Sequence, residues 1–167
     1  MKALAAILCA VATIPFAHAA EEEGALRGAY IGAAGALTLP QGGSRLGRAG
    51  GAVARAGVCM SEYWAIEASA GQLERYTALG AGALVHFYAL DLYDRFFGYS
   101  AFDPFVTAGA NGWIDRRRGQ VGPAAGLGAF WHLDDNWSIR ADASATMGLD
   151  SGVEMLYTVS VGLQCSL

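Results

Sequence analysis

The sequence predicts an all-β fold, an eight-stranded antiparallel up-and-down transmembrane β-barrel. Three observations predict it. Apolar and small or polar residues alternate with period two over many segments of about ten residues, the signature of strands with one face toward lipid. Hydrophobic residues make up 54% of the chain and charged residues 16%, alongside 23 glycines; a soluble domain carries nearer about 25% charge. The longest apolar stretches, Ala78–Leu90 and Val121–Leu133, run only about 13 residues, short of the roughly 20 that a helical span needs. A bilayer admits only helices and closed barrels, because backbone polar groups must pair internally.

The N-terminus reads as an export signal. Met1-Lys2 precede an apolar run from Ala3 to Phe16, then Ala17-His18-Ala19, then Glu21-Glu22-Glu23. A positive start, a short apolar core and a small-x-small site make a secretory signal peptide. Residues 1–19 are therefore expected to be cleaved, and residues 20–167 to form the barrel domain. Lys2 is the only lysine, so every later basic residue is arginine, and cleavage takes the net charge from −4 to −5. Cys9 leaves with the signal, and Cys59 and Cys165 remain. Their opposite strand parity predicts two free thiols, given the geometry a disulfide demands.

The strands follow in order. The first spans Leu26–Leu39, with Ile31, Ala33, Leu37 and Leu39 outward. The second spans Arg48–Met60, with Arg55 inward against outward Ala54, Ala56, Val58 and Met60. The third, Trp64–Gly71, sets Trp64, Ile66, Ala68 and Ala70 outward and Ala65, Glu67, Ser69 and Gly71 inward. The fourth is Tyr76–Tyr88, with Leu79, Ala81, Ala83, Val85 and Phe87 outward. The fifth is Asp103–Trp113. The sixth, Gln120–Leu133, faces Val121, Leu127 and Trp131 outward; Pro123, which cannot donate to a ladder, belongs near its start. The seventh, Trp137–Ala145, alternates without a break: Trp137, Ile139, Ala141, Ala143 and Ala145 against Ser138, Arg140, Asp142 and Ser144. The eighth sets Met155, Tyr157, Val159, Val161, Leu163, Cys165 and Leu167 on one face. That row would be a liability in water and is expected against lipid. Turn residues fall between strands at 41–44, 61–62, 133–136 and 150–152. The longest irregular link is Leu90–Phe102.

The residues also carry a resemblance. Tyr30-Ile31-Gly32 in a glycine-rich first strand, Asp103-Pro104-Phe105-Val106-x-x-Gly109, and Gly126-x-Gly128-x-Phe130-Trp131-x-Leu133-Asp134-Asp135-Asn136-Trp137-Ser138-Ile139-Arg140-Ala141-Asp142 together resemble the outer-membrane protein β-barrel superfamily typified by the OmpA transmembrane domain and OmpX. The resemblance covers nearly all of the mature chain. It implies the outer membrane of a Gram-negative-type bacterium, with membrane lipid, lipopolysaccharide and the barrel-insertion machinery as partners. Such barrels usually end in an aromatic residue, whereas this chain ends in Leu167. No cell-wall-binding domain is expected after the eighth strand.

Three residue groups are candidate sites. Arg55, Glu67, Arg140 and Asp142 all point inward. A barrel of eight strands has an interior just wide enough for side chains to fill, and buried charges must pair. They are expected to form a lumen charge network that plugs the barrel; the alternative is the gate of a narrow porin-like channel. Trp64, Phe87, Phe105, Trp131 and Trp137 are expected to form an aromatic girdle at one membrane interface. Arg116, Arg117 and Arg118 suit bidentate contact with lipopolysaccharide phosphates, or are a solvated loop.

Catalysis finds no support. A barrel deacylase needs a nucleophilic serine beside a histidine; mature histidines occur only at His86 and His132, neither with a serine two residues on, and there is no GxSxG. There is no Cys/His metal spacing, and no cofactor is expected. An acidic exported chain is a poor nucleic-acid binder. The functions left open are a non-enzymatic envelope or surface-interaction barrel with an unidentified extracellular ligand, a narrow porin-like channel for small solutes, and a soluble secreted lipocalin-like binder.

Overall fold

The computed structural model describes residues 28–41, 47–61, 63–74, 76–87, 102–115, 119–148 and 154–167. Within them lie eight strands: β1 (Gly28–Pro40), β2 (Ala49–Cys59), β3 (Trp64–Leu73), β4 (Tyr76–His86), β5 (Phe102–Ile114), β6 (Gly119–His132), β7 (Trp137–Gly148) and β8 (Glu154–Ser166). Each pairs antiparallel with its sequence neighbours, and β1 pairs with β8, for example Ala33 with Leu163, so the barrel is closed. Closure matters physically, because it leaves no edge with unpaired backbone groups.

The pairing fixes the tilt. Stepping from Cys59 on β2 to its partner Ala65, then to Leu84 on β4 and onward strand by strand, reaches Thr38 on β1 and returns to β2 at Ala49. The stagger is the ten residues from Ala49 to Cys59. With about 3.3 Å per residue and about 4.8 Å between strands, the strands tilt about 40° from the barrel axis. Each residue then advances about 2.5 Å along that axis.

The alternation read from the sequence is seen in β1 to β4 and β6 to β8. Ile31, Ile66, Trp131, Val161 and Leu163 are about half exposed or more, while Tyr30, Ala65, Phe130 and Ser160 beside them are buried. Pro123 lies one residue before the β6–β7 pairing begins at Ala124 and Thr146. The Asp134 turn is built as its residue types suggest: Asp134 Oδ1 accepts from the backbone N–H of Asn136 (2.9 Å) and of Trp137 (2.8 Å). Cys59 and Cys165 are both free thiols. The leader at 1–19, Arg116–Arg118, turn residues 42–44, 62 and 150–152, and residues 90–101 of the Leu90–Phe102 link lie outside the described residues.

One turn carries no glycine, asparagine or aspartate signal. Leu73 pairs with Tyr76, and Glu74 takes the left-handed backbone with φ 46°. Tight hairpins need positive φ at the turn, and two hydrogen bonds hold Glu74 there: its carbonyl accepts from Gln72 Nε2 at 2.8 Å within the turn, and its Oε1 accepts from Gly50 N of β2 at 3.3 Å.

The inward side chains form layers. At the end where Gly28 and Ser166 lie, here the terminal end, Tyr30, Ala65, Leu84, Phe105 and Phe130 make one apolar cluster. Toward the other, loop end, Ala36, Ala49, Leu73 and Tyr76 make a second. The charged residues sit between them.

Candidate functional site

The lumen brings Arg55 from β2, Glu67 from β3, and Arg140 and Asp142 from β7 into one layer. Arg140 is 4% exposed and Glu67 9%, so neither charge is solvated by bulk water and each must be paired within the protein. Arg140 forks: Nη1 and Nη2 bond the two oxygens of Glu67, Nη2 at 3.2 Å, and Nε donates to Asp142 Oδ1 at 2.9 Å. Arg55 closes the ring, with Nη2 3.1 Å from Asp142 Oδ1 and Nε 3.7 Å from Glu67 Oε1. Two cations face two anions, so the layer is neutral.

Neighbouring side chains complete it. Tyr30 OH donates to Glu67 Oε2 at 2.9 Å, and Arg55 Nη2 donates to Ser160 Oγ at 2.6 Å. Phe105 and Phe130 form the floor. Their rings lie 4.7 Å apart, and the Arg140 guanidinium stands 4.8 Å from the Phe105 centroid and 5.4 Å from that of Phe130. Such cation–π contacts strengthen when desolvated. Glycine makes this packing possible. A Cβ on Gly57 would fall 2.2 Å from the Tyr30 ring, and one on Gly128 would fall 2.5 Å from Phe105.

Above the charges, toward the loop end, lies a cavity of about 100 Å³ lined by Ser69, Asn111, Ser144 and Thr158 with Arg55 and Asp142, room for roughly three water molecules. Buried Leu73, Tyr76, Trp113 and Leu156 stand beyond it. At the terminal end His86 Nδ1 lies 2.6 Å from Asp103 Oδ2, and His132 Nδ1 3.0 Å from Ser138 Oγ. Among the described residues no group of three or more His, Cys, Asp or Glu has the geometry to hold a metal ion.

The aromatic residues separate into two sets. Trp64, Phe87, Trp131 and Trp137 point outward, from 36% to 57% exposed. On the tilt derived above they fall within about 3 Å of one level along the axis, with Phe102 edge-on to Trp131. Phe105 does not belong to this ring. It is 1% exposed and packs in the lumen against Phe130 and Arg140. The reason is parity: Phe105 shares its face with Asp103, Thr107 and Asn111, and these polar residues mark the inward side of β5. That signal was in the sequence but was masked by small and apolar residues on both faces.

Sequence reasoning also missed Tyr30 and Ser160 as members of the charged layer. Both have inward parity, but what brings them to Glu67 and Arg55 is the stagger of the barrel, which no single strand encodes.

The fold is shared with small outer-membrane barrels. The N-terminal β-barrel domain of Pseudomonas aeruginosa OprF superposes with a TM-score of 0.58 at 13% identity, covering 83% of this chain and 97% of that one. Neisserial surface protein A gives 0.61 at 16%, covering 84% and 98%. The outer membrane protein OprG of Pseudomonas aeruginosa gives 0.63 at 12%, covering 88% and 99%. No protein-family profile matches the sequence, and no curated protein matches it.

Proposed function

We propose that this protein is an exported outer-membrane barrel whose lumen is closed by its own side chains, serving without catalysis in envelope integrity or surface interaction. The observation that carries this reading is the neutral ion-pair layer of Arg55, Glu67, Arg140 and Asp142 held over the Phe105–Phe130 floor. An ion crossing the lumen would have to part these pairs inside a wall where charges are costly to leave alone. The outward rows support the membrane reading, since Leu127, Val121, Val161 and Leu163 offer their apolar surface to whatever surrounds the barrel. In water such a belt is a liability; in a bilayer it is the required surface. Residues 1–19 would deliver the chain for export. Lipid, lipopolysaccharide and the insertion machinery are its partners in this reading, with Arg116–Arg118 offered to lipopolysaccharide phosphates.

The cavity of about 100 Å³ favours a second reading, a narrow channel for small solutes. Planar-bilayer recording separates the two: the closed lumen gives no steady single-channel steps, and reproducible steps would make the charged layer a gate. A soluble binder is tested by fractionation and by gel mobility before and after boiling in detergent. A folded barrel migrates differently from its heated form. Equal migration, with the protein soluble without detergent, would overturn the membrane reading.

A further inference from the structure

The lipid-facing wall is not of even height. Measured from the level of the outward tryptophans, the apolar side chains of β5 and β6 continue to Ile114 and Val121, which are 50% and 64% exposed. By the barrel tilt these lie about 25 Å up the axis, the height expected of a membrane band. On β3 and β4 the apolar row stops at Ala70 and Leu79. The next outward positions are Gln72 and Thr77, which pair across the strands. Thr77 Oγ1 donates to Gln72 Oε1 at 3.2 Å, Gln72 Nε2 donates to the carbonyl of Glu74, and the Glu74 carboxylate follows in the turn. The apolar height on this side is about 15–20 Å. A tilt of the whole barrel cannot remove this difference, because it shifts the upper and lower boundaries of one side together.

We propose that the barrel makes a stepped contact with lipid, full height along β5 and β6 and short along β3 and β4, so that the loop-end leaflet is drawn in by about 5 Å beside the β3–β4 hairpin. Headgroups or water descend to Gln72 and Thr77, where hydrogen-bonding partners meet their polar atoms. Thinning of this size costs fractions of a kcal/mol per Å of mismatch, less than holding the Gln72 amide in hydrocarbon. The partner is thus a lipid surface that is thinner on one flank of the protein, and shorter acyl chains suit that flank. The inference rests on the membrane-spanning reading above.

The test compares two positions at the same height on the barrel. Leu79 on β4 and Leu37 on β1, where the outward row runs on to Leu39 at full height, both face outward, about 19 Å above the tryptophan level. Each is changed to cysteine in a Cys59→Ala, Cys165→Ala background and carries a nitroxide. Depth in phosphatidylcholine vesicles is read from collision with oxygen against a water-soluble nickel chelate. The Leu79 label is expected to sit several Å nearer the aqueous phase than the Leu37 label. Adding Gln72→Leu and Thr77→Val should deepen the Leu79 label and leave the Leu37 label unchanged. Equal depths, or no response to the two added substitutions, would overturn the step. Labels at Leu127 and Val161 are the separate control: chelate-accessible labels there would sink the membrane reading itself. If the cysteine-free background does not fold, a genetically encoded nitroxide amino acid at Leu79 or Leu37 makes the same comparison with both native thiols in place.

Discussion

At the scale of single residues, the charged layer is defined by what happens when one member is lost. Arg140 serves both Glu67 and Asp142. Arg140→Leu leaves two buried carboxylates with Arg55 alone, and breaking a buried pair costs about 3–5 kcal/mol. Urea unfolding in detergent micelles or vesicles should show a loss of that size. Adding Glu67→Gln to Arg140→Leu removes one of the orphaned charges, so the double variant is expected to be more stable than Arg140→Leu alone. If the second substitution deepens the loss instead, the two side chains do not act as a pair. Phe105 gives a second residue-scale test. Phe105→Ala empties the floor under Arg140 and should cost about 3–5 kcal/mol, whereas Phe87→Ala, on an outward position 36% exposed, should cost far less.

Among the elements, the β3–β4 turn holds Glu74 at φ 46°, a conformation that costs an ordinary L-residue roughly 1–2 kcal/mol. Asparagine tolerates it better, so Glu74→Asn is expected to stabilise the barrel by up to about 1 kcal/mol, less whatever the lost Gly50 contact contributed. An unfolding midpoint that drops would mean the Glu74 carboxylate contact outweighs the strain. This turn also shows why the sequence was legible in some strands and not in others. β3, β7 and β8 alternate chemically distinct residues, so period two alone assigns their faces, and Glu67, Arg140 and Asp142 followed at once. β5 carries Phe102 and Phe105, Val106 and Thr107, and a run of Ala and Gly, so its two faces differ little, and Phe105 was assigned to the wrong one. The turn after Leu73 has no residue type that advertises positive φ. The partners Tyr30 and Ser160 were unreadable for a different reason. They meet the charged layer only once all eight strands close with their common stagger.

For the whole molecule, the question is which solvent the outer wall meets. Val161 and Ala141 face outward near mid-wall on the paired strands β8 and β7. They lie about 11 Å and about 8 Å above the tryptophan level. A charge there distinguishes lipid from water without touching the lumen. In a bilayer, Val161→Arg should cost about 2–4 kcal/mol, near the midplane value for arginine on a barrel's lipid face. The same substitution at Leu39, close to the loop-end boundary, should cost about 0–1 kcal/mol. On a surface bathed in water, neither change has a reason to exceed about 0.5 kcal/mol. Folding equilibria in vesicles read the contrast directly. The depth dependence carries more weight than either value, because a packing defect at Val161 would not fade toward the loop end as a desolvation penalty must. A flat response across Val161, Ala141 and Leu39 would mean that the exposed apolar rows serve something other than a membrane.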